Sequence, residues 1–361
     1  MLGTSSFARR CEPRHKRRSG ADRGTARAPL HPGLLGARAL LCAALVIPSA
    51  PASAQAAEPS AATAKPGEPD EHDKLFLIRP FVALDELSLE LTRGSQTLSF
   101  VPNTQLAVGL RLAYAGFSIS GSVDVEASED PEVYGTSDYL ALQAGRAFRV
   151  AERELFISAF LQYHEGLYLE NSVDIVPDSS PILLPEMVVL SLGLTATYYL
   201  NPEFSFDDTF IEFRPRLQTV GSWTLRLSTG LMGFDNAGVS VVPEPLRASF
   251  GDEGTLNWSS AFYVGAMGGY SIDFRFFDHW CLAGSLMAGA TVASERHDIE
   301  QGRREGTTLA PAALFAIAFG YSGETFHSGI FAYVDLESYN AGPVEQNIIR
   351  AAAALFAGVR F

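Results

Sequence analysis

The amino-acid sequence predicts an all-β protein, a transmembrane antiparallel up-and-down β-barrel of about twelve strands, with fourteen as the alternative. Three observations predict it: apolar residues alternate with small or polar ones through most of the chain, the N-terminus reads as an export signal, and the final strand ends in Phe361.

Composition sets the bounds. The 361 residues carry 27 Lys and Arg against 41 Asp and Glu, with 47% apolar residues. The balance is uneven along the chain. Residues 1–54 hold nine Lys and Arg and only Glu12 and Asp22, which leaves 18 basic and 39 acidic residues, net −21, in the remainder. So acidic a body has no electrostatic footprint for nucleic acid, and so apolar a chain is not disordered. The 32 Gly, 24 Phe and 12 Tyr fit a β-rich architecture.

Residues 1–54 have the order of a signal peptide: Arg9-Arg10, Lys16-Arg17-Arg18 and Arg38 precede a short apolar core from Ala39, and Ala52-Ser53-Ala54 or Ala54-Gln55-Ala56 offers a cleavage site after Ala54 or Ala56. The core is broken by Pro48 and Pro51, too short for the about 20 residues of a spanning helix. Leu40-Leu41 before Cys42 lacks the small residue of a lipid-anchor site. Once the signal is removed only Cys281 remains, so no internal disulfide staples the fold. Residues 55–74, rich in Ala, Pro and acidic side chains, read as a flexible lead-in, and the barrel is assigned to 75–361.

In the body the clearest strand is 117–126, with Phe117, Ile119, Val123 and Val125 opposite Ser118, Ser120, Ser122, Asp124 and Glu126. Before it Leu106, Val108, Leu110, Leu112 and Tyr114 alternate with smaller residues, and Ala115-Gly116 closes a tight hairpin. The same period marks 188–200, 222–233 and 259–273, while 153–169 and 277–293 are long enough for the about 9–11 residues of a membrane crossing plus an extension. The charge-free run 307–323 carries Pro311, Gly320 and alternating Phe315, Ile317, Phe319 and Tyr321, a strand pattern and not that of a helix. With 75–84, 104–115, 137–148, 204–218, 326–339 and 348–361, the candidates number thirteen. Single-chain bacterial barrels have even numbers, so either 204–218 and 222–233 are not two full strands or another strand lies in 85–100 or 236–250; twelve is expected. The non-apolar face is mostly small, as a narrow lumen requires. Tyr114, Tyr198, Trp223, Tyr270 and Trp280 lie near strand ends, where a girdle belongs. The acidic loops 126–138 and 169–187 are expected on the outer side, opposite short turns at Ala115-Gly116 and Ala151-Glu152.

Several local features, in order, resemble an uncharacterised bacterial domain-of-unknown-function family of outer-membrane barrels. They are Pro102-Asn103 ahead of a strand with Gly109, Tyr134-Gly135-Thr136, Tyr163 with Gly166 and Tyr168, Tyr199-Leu200-Asn201 leading to Phe204-Ser205-Phe206, and Gly221-Ser222-Trp223. Thr219-Val220-Gly221-Ser222 stands where the family usually has Ser-Ala-Gly-Ser. The resemblance implies a barrel and no established activity.

No catalytic, cofactor-binding or metal-binding set is assigned. His164-Glu165 opens like a zinc-protease motif, but Tyr168 takes the second histidine position, on a strand. Lumen-facing charges are expected at Arg111, Asp124, Glu126, Arg226, Asp335 and Glu337, pairing across a filled interior or lining a pore. A small pore, transport or structural barrel is the expected function. The alternative is a barrel-embedded lipid hydrolase or acyltransferase, for which His279 with Cys281 and Ser285, or His164 with Ser158, Gln162 and Tyr168, share a face. Expected partners are outer-membrane lipids and the barrel-assembly machinery, which reads the strand ending in Phe361.

Overall fold

Alternation becomes a closed wall. The computed structural model describes residues 76–127, 129–175, 180–214, 218–277, 279–341 and 344–361; the expected signal 1–54 and lead-in 55–74 lie outside them. The strands are β1 (Leu77–Arg93), β2 (Gln96–Pro102), β3 (Thr104–Tyr114), β4 (Phe117–Ala127), β5 (Asp138–Val150), β6 (Arg153–Leu169), β7 (Ile182–Tyr199), β8 (Val220–Asp235), β9 (Trp258–Phe276), β10 (Trp280–Ile299), β11 (Gly302–Ser322), β12 (Phe326–Ala341) and β13 (Val344–Arg360). All neighbours are antiparallel, and β13 pairs with β1 from Leu77↔Arg360 to Thr92↔Glu345, so no edge is left open. Among the described residues no helix is long and apolar enough to cross a membrane.

The wall is not uniform. At the end where Leu77 meets Arg360, here the terminal end, β1 pairs β3 and β5 pairs β6 along its length, so the ring is twelve strands around. Toward the far end β1 pairs β2 instead (Leu89↔Phe100 to Arg93↔Gln96), and β2 pairs β6 directly through Phe100↔Leu169, Val101↔Tyr168 and Pro102↔Leu167. The β3–β4–β5 insert stops there, leaving ten strands above it. Its two short turns have both residues at positive φ, Ala115 (51°) with Gly116 (73°) and Ala151 (50°) with Glu152 (65°), the geometry that matches strand twist.

Burial identifies the faces. Near the terminal end the outward residues are apolar: Ile78, Val82 and Leu84 on β1, Leu225, Leu227 and Leu231 on β8, Leu282 and Leu286 on β10, all exposed. Inward residues there are polar or small, such as Ser158, Thr195, Thr197, Thr224 and Ser271, all buried. Toward the far end the chemistry inverts while the parity holds. On β1, Leu87, Leu89 and Leu91 face inward and are buried, with Glu86, Ser88, Glu90 and Thr92 on the outside. On β11 the outward series changes from Arg303, Glu305 and Thr307 to Leu309. An apolar outside belongs in lipid, and an apolar inside under a polar outside belongs in water. The strands therefore cross a membrane with their terminal-end segments and project beyond it at the far end. Trp223, Tyr270, Tyr114 and Trp280, all exposed outward, gather near the terminal-end rim as a single girdle.

A prediction follows from the inversion. Leu227→Arg, on the lipid face with Leu227 61% exposed, is expected to cost about 2–4 kcal/mol in denaturant unfolding from phospholipid vesicles, whereas Glu90→Arg on the polar outside of β1 is expected to be near neutral. Equal costs at the two sites would remove the proposed belt boundary.

Several expectations are corrected. Among the described residues of 204–218 there is no strand; 207–211 form a single π-turn and 204–213 fold into the barrel, because the alternating phenylalanines dock inside and make no ladder bonds. The uncounted strand is β2, in 85–100, hidden because β1 and β2 meet across only Gly94 and Ser95. The loop expected at 169–187 ends at 181, since β7 begins at Ile182 and pairs across a bulge at Gly166. Residues 236–257 are a long loop with short helical turns, not a strand. His279 lies in the β9–β10 turn, exposed and beside the Tyr321 ring, and so does not share the inner face of Cys281 and Ser285.

Candidate functional site

Small inner residues make room for large ones. Phe81 lies over Gly109 and Phe160 over Gly193, each directly opposite on the neighbouring strand, and Phe156 covers Gly145; a Cβ at those glycines would stand 2.1, 2.7 and 2.5 Å from the respective rings. The rings and their polar neighbours line a cavity of about 280 Å³ in the membrane-level part of the barrel.

The terminal end of this cavity is closed by the β7–β8 connection. Phe204, Phe210, Ile211 and Phe213 are each no more than 4% exposed, packed with Phe156, Tyr199, Cys281 and Phe356. Burying each such side chain contributes about 1.5–3 kcal/mol as an upper bound, so the docked segment is the stable state. The polar contacts are equally specific. Arg79 Nη1 donates to the Ile211 carbonyl at 2.8 Å and the Phe210 carbonyl at 3.3 Å. Arg360 donates to the carbonyls of Phe213 (2.5 Å), Glu212 and Gly323 (2.6 Å), and Thr209 Oγ1 donates to Asp273 at 3.2 Å. The hinge is held by Asn201, whose amide reaches Ser222 Oγ at 3.0 Å and whose Nδ2 reaches the Gly221 carbonyl at 2.8 Å. Tyr199 stacks on Phe204 at 4.9 Å.

The far end of the barrel is filled by the β8–β9 loop. Val241, Val242, Phe250 and Leu256 are buried against the inner leucines of β1 and against Leu167, Leu169 and Phe234. The loop crosses the mouth: its Glu253 is bound by Arg93 from β1 at 2.8 Å and by Arg304 from β11, with Asp252 also on Arg304 at 2.5 Å.

Of the charges expected in the lumen, Arg111, Arg226 and Asp335 line the cavity. Asp335 pairs with Arg350 at 3.2 Å, and Arg350 also donates to Ser191 Oγ at 2.9 Å. Arg111 donates to Gln143 at 3.1 Å and to Ser120 Oγ at 3.4 Å. Asp124 stands past the last β4–β5 pair, where it accepts the Tyr139 amide at 3.2 Å. Glu126 and Glu337 fall on β4 and β12, but their side chains lie outside the described residues. Sequence reasoning missed Arg79, Asp85, Tyr139 and Arg350, all in the cavity lining. Their signal was legible: each occupies an inner-parity position of a strand. Asp85 accepts from Tyr139 Oη at 2.5 Å. The serine–histidine arrangements considered for an enzyme are not assembled among the described residues: Ser158 Oγ is hydrogen-bonded to Thr195 Oγ1 at 2.7 Å, and His164 is buried beside the Tyr139 ring. No group of three or more His, Cys, Asp or Glu suited to a metal gathers among the described residues.

The terminal plug is acidic. Burial, then Glu212, Asp208 and Glu154 nearby, push Asp207 well above the ordinary carboxylate range against the opposing pull of Arg214. Arg79, across from it on β1, is likewise within electrostatic reach. A carboxyl with a raised docked-state value binds its proton more tightly docked than free. Docking is therefore strongest at acid pH, weakens as pH rises from the ordinary carboxylate range to the raised value, and stays weakened above it. Hydrogen-exchange protection of residues 204–213, corrected for intrinsic exchange, is expected to fall with rising pH and to show a weaker dependence in Asp207→Asn, with Glu212 and Glu154 carrying the rest in the same direction; an unchanged profile in the variant would refute the assignment.

The plug hinge and the place where the ring narrows are built by the motifs quoted above. Asn103, fully buried, donates through Nδ2 to the Gly135 carbonyl at 2.6 Å and to the Glu129 carbonyl at 3.3 Å, and its Oδ1 accepts the Glu129 amide at 3.0 Å. Its own amide donates to Ser137 Oγ at 2.7 Å, and that hydroxyl donates to the Gly166 carbonyl. Tyr134 packs edge-on against Tyr168 at 5.1 Å. These contacts pin the tip of the β4–β5 hairpin under the β2–β6 junction.

Among solved structures, the chain is similar to an outer membrane channel from Pseudomonas putida F1, at 13% identity over 81% of this chain and 99% of that one, with a TM-score of 0.37. It is similar to the outer membrane protease OmpT from Escherichia coli at 6% identity, over 80% and 97%, TM-score 0.36. A FadL homologue of Pseudomonas aeruginosa matches at 8% identity, over 80% and 91%, TM-score 0.30. No match is found among curated proteins. Residues 72–361, which include every strand of the barrel together with both plugs, match the family described as domain of unknown function DUF4421, and the chain belongs to that family.

Proposed function

We propose that the protein is an integral outer-membrane barrel that passes a small solute through a lumen held shut by two docked segments. The observation that carries this reading is the cavity of about 280 Å³ set between a terminal-end plug, docked through 204–213, and a far-end plug, docked through 241–256. A purely structural barrel has no need of a cavity lined by arginines and phenylalanines at membrane level, and an open pore has no need of two plugs. In this reading the far end faces the exterior and the terminal end the periplasm, the orientation bacterial barrels share. Export uses a signal cleaved after Ala54 or Ala56. The assembly machinery recognises the last strand through Phe361, which in the finished barrel is 65% exposed and exchanges main-chain hydrogen bonds with Phe76.

The test is single-channel recording of the purified full-length protein in a planar bilayer. Long closed periods broken by brief openings support the reading. A permanently open native lumen, or no opening even after both plugs are removed, overturns it.

A further inference from the structure

We propose that the cavity binds a small amphipathic organic anion, a carboxylate on an apolar body, with Arg111 and Arg226 taking the carboxylate and Phe81, Phe156 and Phe160 taking the body. This deepens the conduit reading and rests on it only for access to the cavity.

Charge imbalance carries the argument. Arg79 and Arg111 occupy directly opposed positions of β1 and β3, both on the inner face. Like charges so placed repel, and a low-dielectric lumen strengthens the repulsion. Among the described residues neither guanidinium has a hydrogen-bonded carboxylate to offset it: Arg79 is spent on main-chain carbonyls of the plug, and Arg111 on the neutral Ser120 and Gln143. Arg226 lines the same cavity, and its Nε is sealed from water with no acceptor. The cavity's carboxylates are engaged elsewhere, Asp335 with Arg350 and Asp85 with the Tyr139 hydroxyl. Asp207 of the plug lies within electrostatic reach of Arg79 and Arg111, but the acidic neighbours already described favour its neutral form.

An interior that collects guanidinium groups inside an acidic body is built for an anion. A planar guanidinium fork matches a carboxylate in two parallel hydrogen bonds, and desolvation strengthens both. The apolar side of the ligand follows from the wall. Phe81, Phe156 and Phe160 present rings to the cavity, and further phenylalanines of the plug and of β12 and β13 complete it. A bare inorganic anion would leave those faces unfilled, and an uncharged hydrocarbon would leave the arginines unmet. The volume stands just under the about 300–1,000 Å³ of ordinary ligand pockets, which limits the ligand to a small molecule.

The test is isothermal titration of the full-length protein, in a non-ionic detergent with long equilibration, against sodium octanoate, octylamine hydrochloride, 1-octanol and inorganic phosphate. Saturable binding of octanoate is expected, with octylammonium, octanol and phosphate each at least about tenfold weaker, since one charge-assisted contact is lost or the apolar body is missing. Arg111→Gln and Arg226→Gln are each expected to weaken octanoate about tenfold, and Arg226→Lys to weaken it less than Arg226→Gln. Heat-modifiable gel migration of each variant verifies that it has folded. Octylammonium binding as tightly as octanoate, phosphate binding as tightly as octanoate, or folded Arg→Gln variants that bind octanoate like the native protein would each overturn the anion site. The two readings fail separately. A plug-deleted variant that conducts, in a protein whose native form binds no octanoate, keeps the conduit and removes the site; octanoate binding with no conductance in any variant keeps the site and removes the conduit.

Discussion

Replacing 203–214 and 238–255 together by short Gly-Ser linkers is expected to convert a barrel that carries almost no steady current into a continuously conducting one, whereas either replacement alone leaves it closed. The two plugs sit in series, so conduction requires both to be absent. The terminal plug is fixed by buried aromatics and by the arginines at positions 79 and 360, which hold its main-chain carbonyls. The far plug is fixed by Phe250 and by the Arg93–Glu253–Arg304 clamp across the mouth. Single-channel recording of the three variants is the measurement. Removing the far plug uncovers Leu87, Leu89 and Leu91, so that variant is compared with Arg93→Ala plus Arg304→Ala, which loosens the clamp and leaves the apolar packing in place. Steady conduction after loss of the terminal plug alone would show that the far loop does not seal the lumen.

The second large effect is at the narrowing of the wall. Gly166→Ala is expected to destabilise the barrel far more than Gly94→Ala, although both glycines have positive φ, 75° and 61°. Both substitutions carry the backbone cost of placing an L side chain in the left-handed region, about 1–2 kcal/mol. At Gly94 a Cβ meets nothing within 4 Å, but at Gly166 it would stand 2.3 Å from the Thr136 carbonyl oxygen, inside the junction where β6 changes partner from β5 to β2. Asn103→Ala belongs to the same site. It strands the Glu129 amide and the Glu129 and Gly135 carbonyls, at about 1–3 kcal/mol for each group left buried without a partner. Denaturant unfolding from vesicles measures both; equal costs for the two glycine variants would mean that the junction is not a tight seam.

The quoted family motifs gain a physical meaning from these two places. Pro102-Asn103, Tyr134-Gly135-Thr136 and Gly166 are scattered over about sixty residues of sequence, yet they meet at the seam. Tyr199-Leu200-Asn201, Phe204-Ser205-Phe206 and Gly221-Ser222 meet at the plug hinge. Their order was visible in the sequence, but not the two sites, because each motif contributes a main-chain group or a single ring that means nothing until its partner arrives.

By itself the sequence determined what is local. Residues two apart share a face, so the alternation marked most of the strands and their parity, with an apolar outside at membrane level. Only the tertiary structure decided what depends on distant partners. Phe204, Phe206 and Phe210 bury equally well in a sheet or inside a lumen, so their spacing was compatible with a strand until the barrel closed around them. The same holds for β2, whose pairing with β6 spans the whole β3–β5 insert, and for the arginines, whose excess appears only when strands far apart in the chain are brought around one cavity. Composition averages a chain along its length, and a barrel sorts the same residues by radius.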